Sequence, residues 1–136
     1  MIQNQTEISI KDNSGILKGR VVNSKHKTCT LGQNVKIVIT KARQIHNKPK
    51  THVGHNHGSQ LQDALIIQTN CRINRLDGSG LRFYNNSGVS VTINKRKLVL
   101  GFKRIPSCVP FEIKRINSQS AFKGSYNIMK LAKSLH

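Results

Sequence analysis

The chain has 136 residues, and its 23 Lys and Arg against five Asp and Glu give a formal charge of +18 with histidine neutral. Such a length suits one domain, residues 1–136, with a modest core; 36 % hydrophobic residues, 4 % aromatics and no Trp argue against a large buried ligand cavity. Surface ion pairing cannot absorb the cations, so a polyanion is the expected partner, and five scattered carboxylates offer no paired acid and base for catalysis.

The N-terminus, Met1-Ile2-Gln3-Asn4-Gln5-Thr6, has neither the basic start and apolar stretch of a secretory signal nor the Arg-rich amphipathic character of a transit peptide. No apolar run reaches bilayer length, so no membrane partner is expected and the chain should work where it is made. Ile8 and Ile10 alternate with Ser9 and Lys11, which predicts a first strand. Asp12-Asn13-Ser14-Gly15 reads as a turn whose side chains bond the backbone, rather than as a catalytic acid and nucleophile. Val35, Ile37 and Ile39 share one face of a second predicted strand.

Residues 41–62 break the alternation. Lys41, Arg43, Lys48 and Lys50 are interleaved with His46, His52, His55 and His57, with Pro49, Gly54 and Gly58 as breakers. This reads as a long, basic, His-rich loop ordered mainly by its partner. Between Asp12 and Asp63 there are nine Lys or Arg and no acid. The histidines have no i, i+4 pair on a helix and no cysteine or carboxylate frame, so metal binding is not expected there.

Ala64-Leu65-Ile66-Ile67 is a short apolar run that reads as a buried strand. Asp77-Gly78-Ser79-Gly80 and Asn85-Asn86-Ser87-Gly88 are turn signals, and Val89, Val91 and Ile93 alternate with Ser90, Thr92 and Asn94. Leu98-Val99-Leu100 is a further strand candidate. Pro110 is placed to open a short helix through Arg115. Ile128, Leu131, Ala132 and Leu135 follow helical spacing, predicting an amphipathic helix over Tyr126 to Leu135, with a strand at its start as the alternative. Short strands and turns at this spacing point to a mainly β chain, a small barrel or sandwich. Cys29, Cys71 and Cys108 are odd in number and far apart, so they read as reduced, core or half-buried residues. No Gly-rich phosphate loop opens a helix, and no cofactor is expected.

Ala64-Leu65-Ile66-Ile67, nine residues, Asp77-Gly78, four residues, Phe83, two residues, Asn86, two residues, Val89 is an ordered set. It resembles the signature of the universal large-subunit ribosomal protein fourteen family. Met1-Ile2-Gln3, Gln5-Thr6, Asp12-Asn13-Ser14-Gly15, Thr30-Leu31-Gly32, Leu81-Arg82-Phe83 and Lys130-Leu131-Ala132 extend the similarity over nearly the whole chain. Independently of it, Asp77-Gly78 suits a hairpin turn. Phe83 is expected to return an aromatic ring to the barrel interior, and Asn86 to bond local backbone. Ser90 stands where the signature has an aliphatic residue, so pairing there is expected to be shifted or half exposed. Gly101-Phe102-Lys103-Arg104-Ile105-Pro106 aligns with a basic segment of the family, with Lys103 or Arg104 standing for its arginine.

The resemblance implies a closed five-stranded β-barrel with a short C-terminal helical element. It also implies a structural constituent of the large ribosomal subunit that binds large-subunit rRNA on the intersubunit side. Implied partners are ribosomal proteins three and nineteen, small-subunit rRNA across a bridge, and a ribosome-silencing factor. Candidate rRNA-binding residues are Lys41, Arg43, Lys48 and Lys50 in the loop, Arg72 and Arg75 beside the Asp77-Gly78 turn, and Arg96 and Lys97 between strands. Lys103, Arg104, Lys114 and Arg115 complete the set. The abundance of Lys, Asn and Ile (15, 13 and 15 residues) is what an AT-rich gene produces. Together with the N-terminus it suggests a mitochondrial ribosome in the matrix, with a plastid or a bacterial cytoplasm as alternatives. A free single-strand-binding barrel is the competing function, and it calls for exposed aromatics that stack on bases.

Overall fold

A computed structural model of the chain describes residues 2–24, 27–43, 61–94, 97–100, 104–113 and 125–135. Among these residues the elements in chain order are β1 (Glu7–Ile10), β2 (Ile16–Ser24), β3 (Asn34–Ala42), β4 (Leu61–Gln68), β5 (Ile73–Asn74), β6 (Gly80–Leu81), β7 (Ser87–Asn94), β8 (Lys97–Val99), β9 (Ile105–Val109), α1 (Ser125–Leu131) and β10 (Ala132–Leu135). Antiparallel pairing runs β1-β2-β3-β4-β7-β8, and β1 also pairs in parallel with β7. The parallel seam, Ser9 opposite Ser87 and Ile10 opposite Gly88, closes five strands into a barrel. Closure removes the free edges that a short sheet would otherwise expose.

Alternation along the strands fills the barrel. Ile8, Ile10, Val21, Val35, Ile37, Ala64 and Ile66 form its buried interior, and Ile2, Cys29 and Leu31 join the same cluster. Ile2 reaches it through an isolated antiparallel bridge to Cys29. Gly88 faces inward at the seam, where an added Cβ would lie 3.0 Å from the Leu65 carbonyl oxygen and 3.4 Å from Ile8 Cδ1. Glycine lets β1, β4 and β7 approach this closely without the Leu65 backbone having to give way.

A second core lies on the outer face of β4 and β7. Leu65, Ile67, Val89, Val91, Ile105, Val109, Ile113 and Ile128 form it, with Leu100, Leu131 and Ala132 packed against them. The apolar run in β4 is thus buried on both faces, with Ala64 and Ile66 inward and Leu65 and Ile67 outward. Successive side chains of a strand point to opposite faces, so one strand can serve two cores.

Several expectations are corrected. At the margins of the expected 41–62 loop, Lys41 and Ala42 belong to β3 and Leu61 and Gln62 to β4, while residues 44–60 lie outside the described residues. The C-terminal helix stops at Leu131, and Ala132–Leu135 pairs in parallel with β9 instead. The register of that pair slips between Ala132 and Ser134, opposite Pro106 and Ser107. A proline has no N–H for a ladder, so a break at this point is expected. Ser90 is neither shifted nor half exposed. It pairs in register with Ala64 and is buried at 6 % exposure. Phe83 is half-buried and Cys71 is exposed rather than packed. The Pro110 turn opens as predicted, with the Ile113 N–H donating to the Pro110 carbonyl at 3.3 Å; its continuation to Arg115 lies outside the described residues.

Candidate nucleic-acid interface

Strand direction decides which basic residues meet. β1, β3 and β7 run one way and β2 and β4 the other. The β1–β2 turn, the end of β3, the start of β4 and the end of β7 therefore share one end of the barrel. Lys41 and Arg43 are exposed there, and the Arg43 N–H donates to the Gly15 carbonyl at 2.7 Å. Lys97 opens β8 opposite Asn94, at the same end. The chain leaves this end after Arg43 and returns at Leu61; Lys48, Lys50 and Arg96 lie outside the described residues, as do all six histidines, Lys103, Lys114 and Arg115. Arg104 is exposed just before β9.

Arg72 and Arg75 sit at the opposite end, on the β5–β6 hairpin. The Asp77-Gly78 turn forms as predicted: Gly78 has φ of 82°, and Asp77 Oδ1 accepts from the Ser79 N–H at 2.9 Å and from Ser79 Oγ at 2.6 Å. Those two bonds hold the Asp77 carboxyl below its ordinary value, with Arg75 adding a smaller charge effect. The exposed Arg72 lays its guanidinium over Gly80, so that a Cβ there would meet Nε at 2.5 Å.

Arg75 is committed differently. Its Nε donates to Glu112 Oε1 at 2.5 Å and its Nη2 to Glu112 Oε2 at 3.3 Å, a two-point clasp between the hairpin and the segment after β9. The guanidinium hydrogen bond lowers the Glu112 carboxyl below the ordinary glutamate range, against a smaller opposing effect of burial. A depressed folded-state value means the contribution is present above the unfolded pKa and lost as pH falls through the folded one. The clasp is therefore expected to weaken only in acid, below about pH 4, and Glu112→Gln should flatten that acid loss. Unfolding midpoints measured from pH 3 to 7 check it; a variant whose acid profile matches the parent contradicts it.

The remaining carboxylates absorb little charge. Glu7 pairs with Lys18 at 3.1 Å, and Glu7 and Glu112 supply the two ion pairs found among the described residues. The Lys18 hydrogen bond lowers the Glu7 carboxyl. Asp12 spends both oxygens locally: Oδ1 accepts from the Ser14 N–H at 2.8 Å and from Ser14 Oγ, and Oδ2 from the Ser90 N–H and Oγ, each at 2.7 Å. Ser90 is tied to a turn 78 residues earlier in the chain. Asn86 bonds backbone as expected but not locally, its Oδ1 accepting from the Asn70 N–H at 2.9 Å.

Some surface cations escaped the sequence reading. Lys18, Arg20 and Lys36 are exposed on the outer face of β2 and β3, and Arg82 is exposed after β6, its Nε donating to the Asn70 carbonyl and Oδ1 at 3.2 and 3.0 Å. The signal for the strand residues was the alternation itself: with Val21, Val35 and Ile37 inward, Lys18, Arg20 and Lys36 must point outward.

Among the described residues there is no group of three or more His, Cys, Asp or Glu placed to hold a metal ion, and no helix long and apolar enough to cross a membrane. The fold and surface define a small basic β-barrel with a docked C-terminal layer. The sequence matches the ribosomal protein L14p/L23e family over residues 1–133. It is also 34 % identical over 100 residues to the large ribosomal subunit protein uL14 of Carsonella ruddii (strain PV), covering 71 % of this chain and 75 % of that protein. The chain belongs to the L14p/L23e family of ribosomal proteins and is a structural protein rather than an enzyme.

Proposed function

We propose that this chain, as one domain over residues 1–136, is a structural constituent of the large ribosomal subunit that binds large-subunit rRNA at the intersubunit side. The observation that carries this reading is the family match over 1–133. The charge supports it: four of the five carboxylates are spent on two ion pairs and on two turns, so most of the barrel's cations have no carboxylate to meet and are left for phosphate. Lys41, Arg43 and Lys97 would contact rRNA from one barrel end, Arg72 from the other and Arg104 from just before the start of β9. Lys48, Lys50, Arg96, Lys103, Lys114 and Arg115, outside the described residues, are the further proposed contacts. Arg75, held by Glu112, would position the hairpin while keeping part of its charge outward. The mechanism is static: phosphate contacts set position and RNA shape selects the site.

Ribosomal proteins three and nineteen, a bridge to small-subunit rRNA and a silencing factor complete the proposed surroundings. The proposed location is a mitochondrial matrix, which the Lys, Asn and Ile bias favours; the bacterial relative keeps a bacterial cytoplasm as the competing location. Sedimentation at moderate salt should find the chain in the large subunit, and recovery only in an RNA-free fraction would overturn the reading. Lys41→Ala with Arg43→Ala should lower the slope of log affinity against log salt by roughly 1.5, the counterions of two phosphates. That is measurable as rRNA-fragment binding between low and physiological salt, and an unchanged slope would remove both residues from the interface.

A further inference from the structure

Tyr84 is 92 % exposed, on a segment that is otherwise firmly tied. The Phe83 N–H donates to the Thr69 carbonyl at 3.2 Å, and the Asn86 carbonyl accepts from the Ser9 N–H at 3.1 Å. The ring therefore stands on backbone already held by the barrel, and covering it with a flat partner costs little ordering entropy.

Beside the ring lies a shallow depression formed by Glu7, Ser9, Lys18, Asn70, Asn85 and Asn86. Asn70 Oδ1 accepts from Arg82 Nε, and Asn86 Oδ1 accepts from the Asn70 N–H. Each side-chain carbonyl already accepts one bond, while neither NH2 group has a partner among the described residues, so the unspent donors of these two amides are their NH2 groups. Such donors suit the carbonyl oxygens and ring nitrogens of a base edge. A protein anchor instead needs an apolar collar that seals out water. Here the lining is polar, and the one aliphatic side chain in it, Ile8, is 1 % exposed.

We infer that Tyr84 and the adjacent asparagines form a subsite for one unpaired nucleobase, which stacks on the Tyr84 ring and presents acceptors to the Asn70 and Asn86 amides. This rests on the rRNA-binding function proposed above. A base inside a duplex has no free face for the ring, so the target is a bulged or looped nucleotide.

The test uses intact large subunits carrying the parent chain, Tyr84→Phe or Tyr84→Ala, with dimethyl sulfate and carbodiimide probing of every rRNA base. The expected result is one unpaired base protected in parent and Tyr84→Phe subunits and roughly tenfold more reactive in Tyr84→Ala subunits. Unchanged base reactivity in Tyr84→Ala subunits that retain the chain overturns the subsite and leaves the ribosomal function standing. Equal deprotection by Tyr84→Phe overturns stacking in favour of the hydroxyl. Absence of the parent chain from the large subunit overturns the function and this inference together.

Discussion

Replacing Asp12 with alanine is expected to cost about 3 kcal/mol of stability, because the buried Ser90 N–H and hydroxyl would lose their charged acceptor. The reason lies in how the barrel closes. β1 and β7 run side by side for only two rungs, and the Ser9 and Lys11 N–H groups donate to the Asn86 and Gly88 carbonyls. Beyond Ile10 the first strand turns away, and the Ser90 N–H meets the Asp12 carboxylate where a neighbouring strand would have offered a carbonyl. The same carboxylate holds the Ser14 N–H and hydroxyl, fixing the turn that carries β1 into β2. Urea unfolding at moderate salt, which screens the self-repulsion of the chain, measures the cost. Asp12→Ala combined with Ser90→Ala should be less damaging than the sum of the two by about 1 kcal/mol, since both remove the same bond. A loss below about 1 kcal/mol for Asp12→Ala would show that the seam does not depend on the carboxylate.

Two neighbouring truncations in β4 are expected to be equally costly and to loosen different parts of the protein. Leu65 is 1 % exposed and Ile66 is fully buried, yet they belong to different cores. Each change to alanine should cost roughly 3 kcal/mol, the usual range for deleting a buried aliphatic side chain and leaving a cavity. Leu65→Ala opens its cavity under β9, α1 and Ile113; Ile66→Ala opens one inside the barrel. Hydrogen exchange separates them: the first should release β9 and β10 amides while β1 to β3 stay protected, and the second should do the reverse. Matching exchange patterns in the two variants would mean the C-terminal layer and the barrel unfold as one unit.

Much of this was legible in the residues. Alternation located β1, β3 and β7, the unbroken apolar run marked β4 as buried, and Asp77-Gly78 marked its hairpin. Ser90 stands where the family signature has an aliphatic residue, which argues for a shifted or half-exposed position; its acceptor, Asp12, lies too far along the chain to be inferred. The C-terminal helix was overextended for a related reason. Ala132 and Leu135 fit helical spacing, but the open edge of β9 supplies carbonyl and N–H partners that a strand uses better. In the sequence Arg75 is one more cation beside a turn; its partner Glu112 lies 37 residues away and only the fold brings them together.

By itself the sequence determined the charge, the family, the strands β1, β3, β4 and β7 and the Asp77-Gly78 turn, because composition, period-two alternation and glycine turns are local properties. The tertiary structure alone decided which way each apolar face points. Val89 and Val91 form a clean apolar face, yet that face turns away from the barrel, and Gly88 and Ser90 face its interior. Period two says only that two faces differ; the close approach of β1, β4 and β7 at the seam fills the inside with small residues. The second core is the consequence, since the valines left outside must be covered by the C-terminal layer.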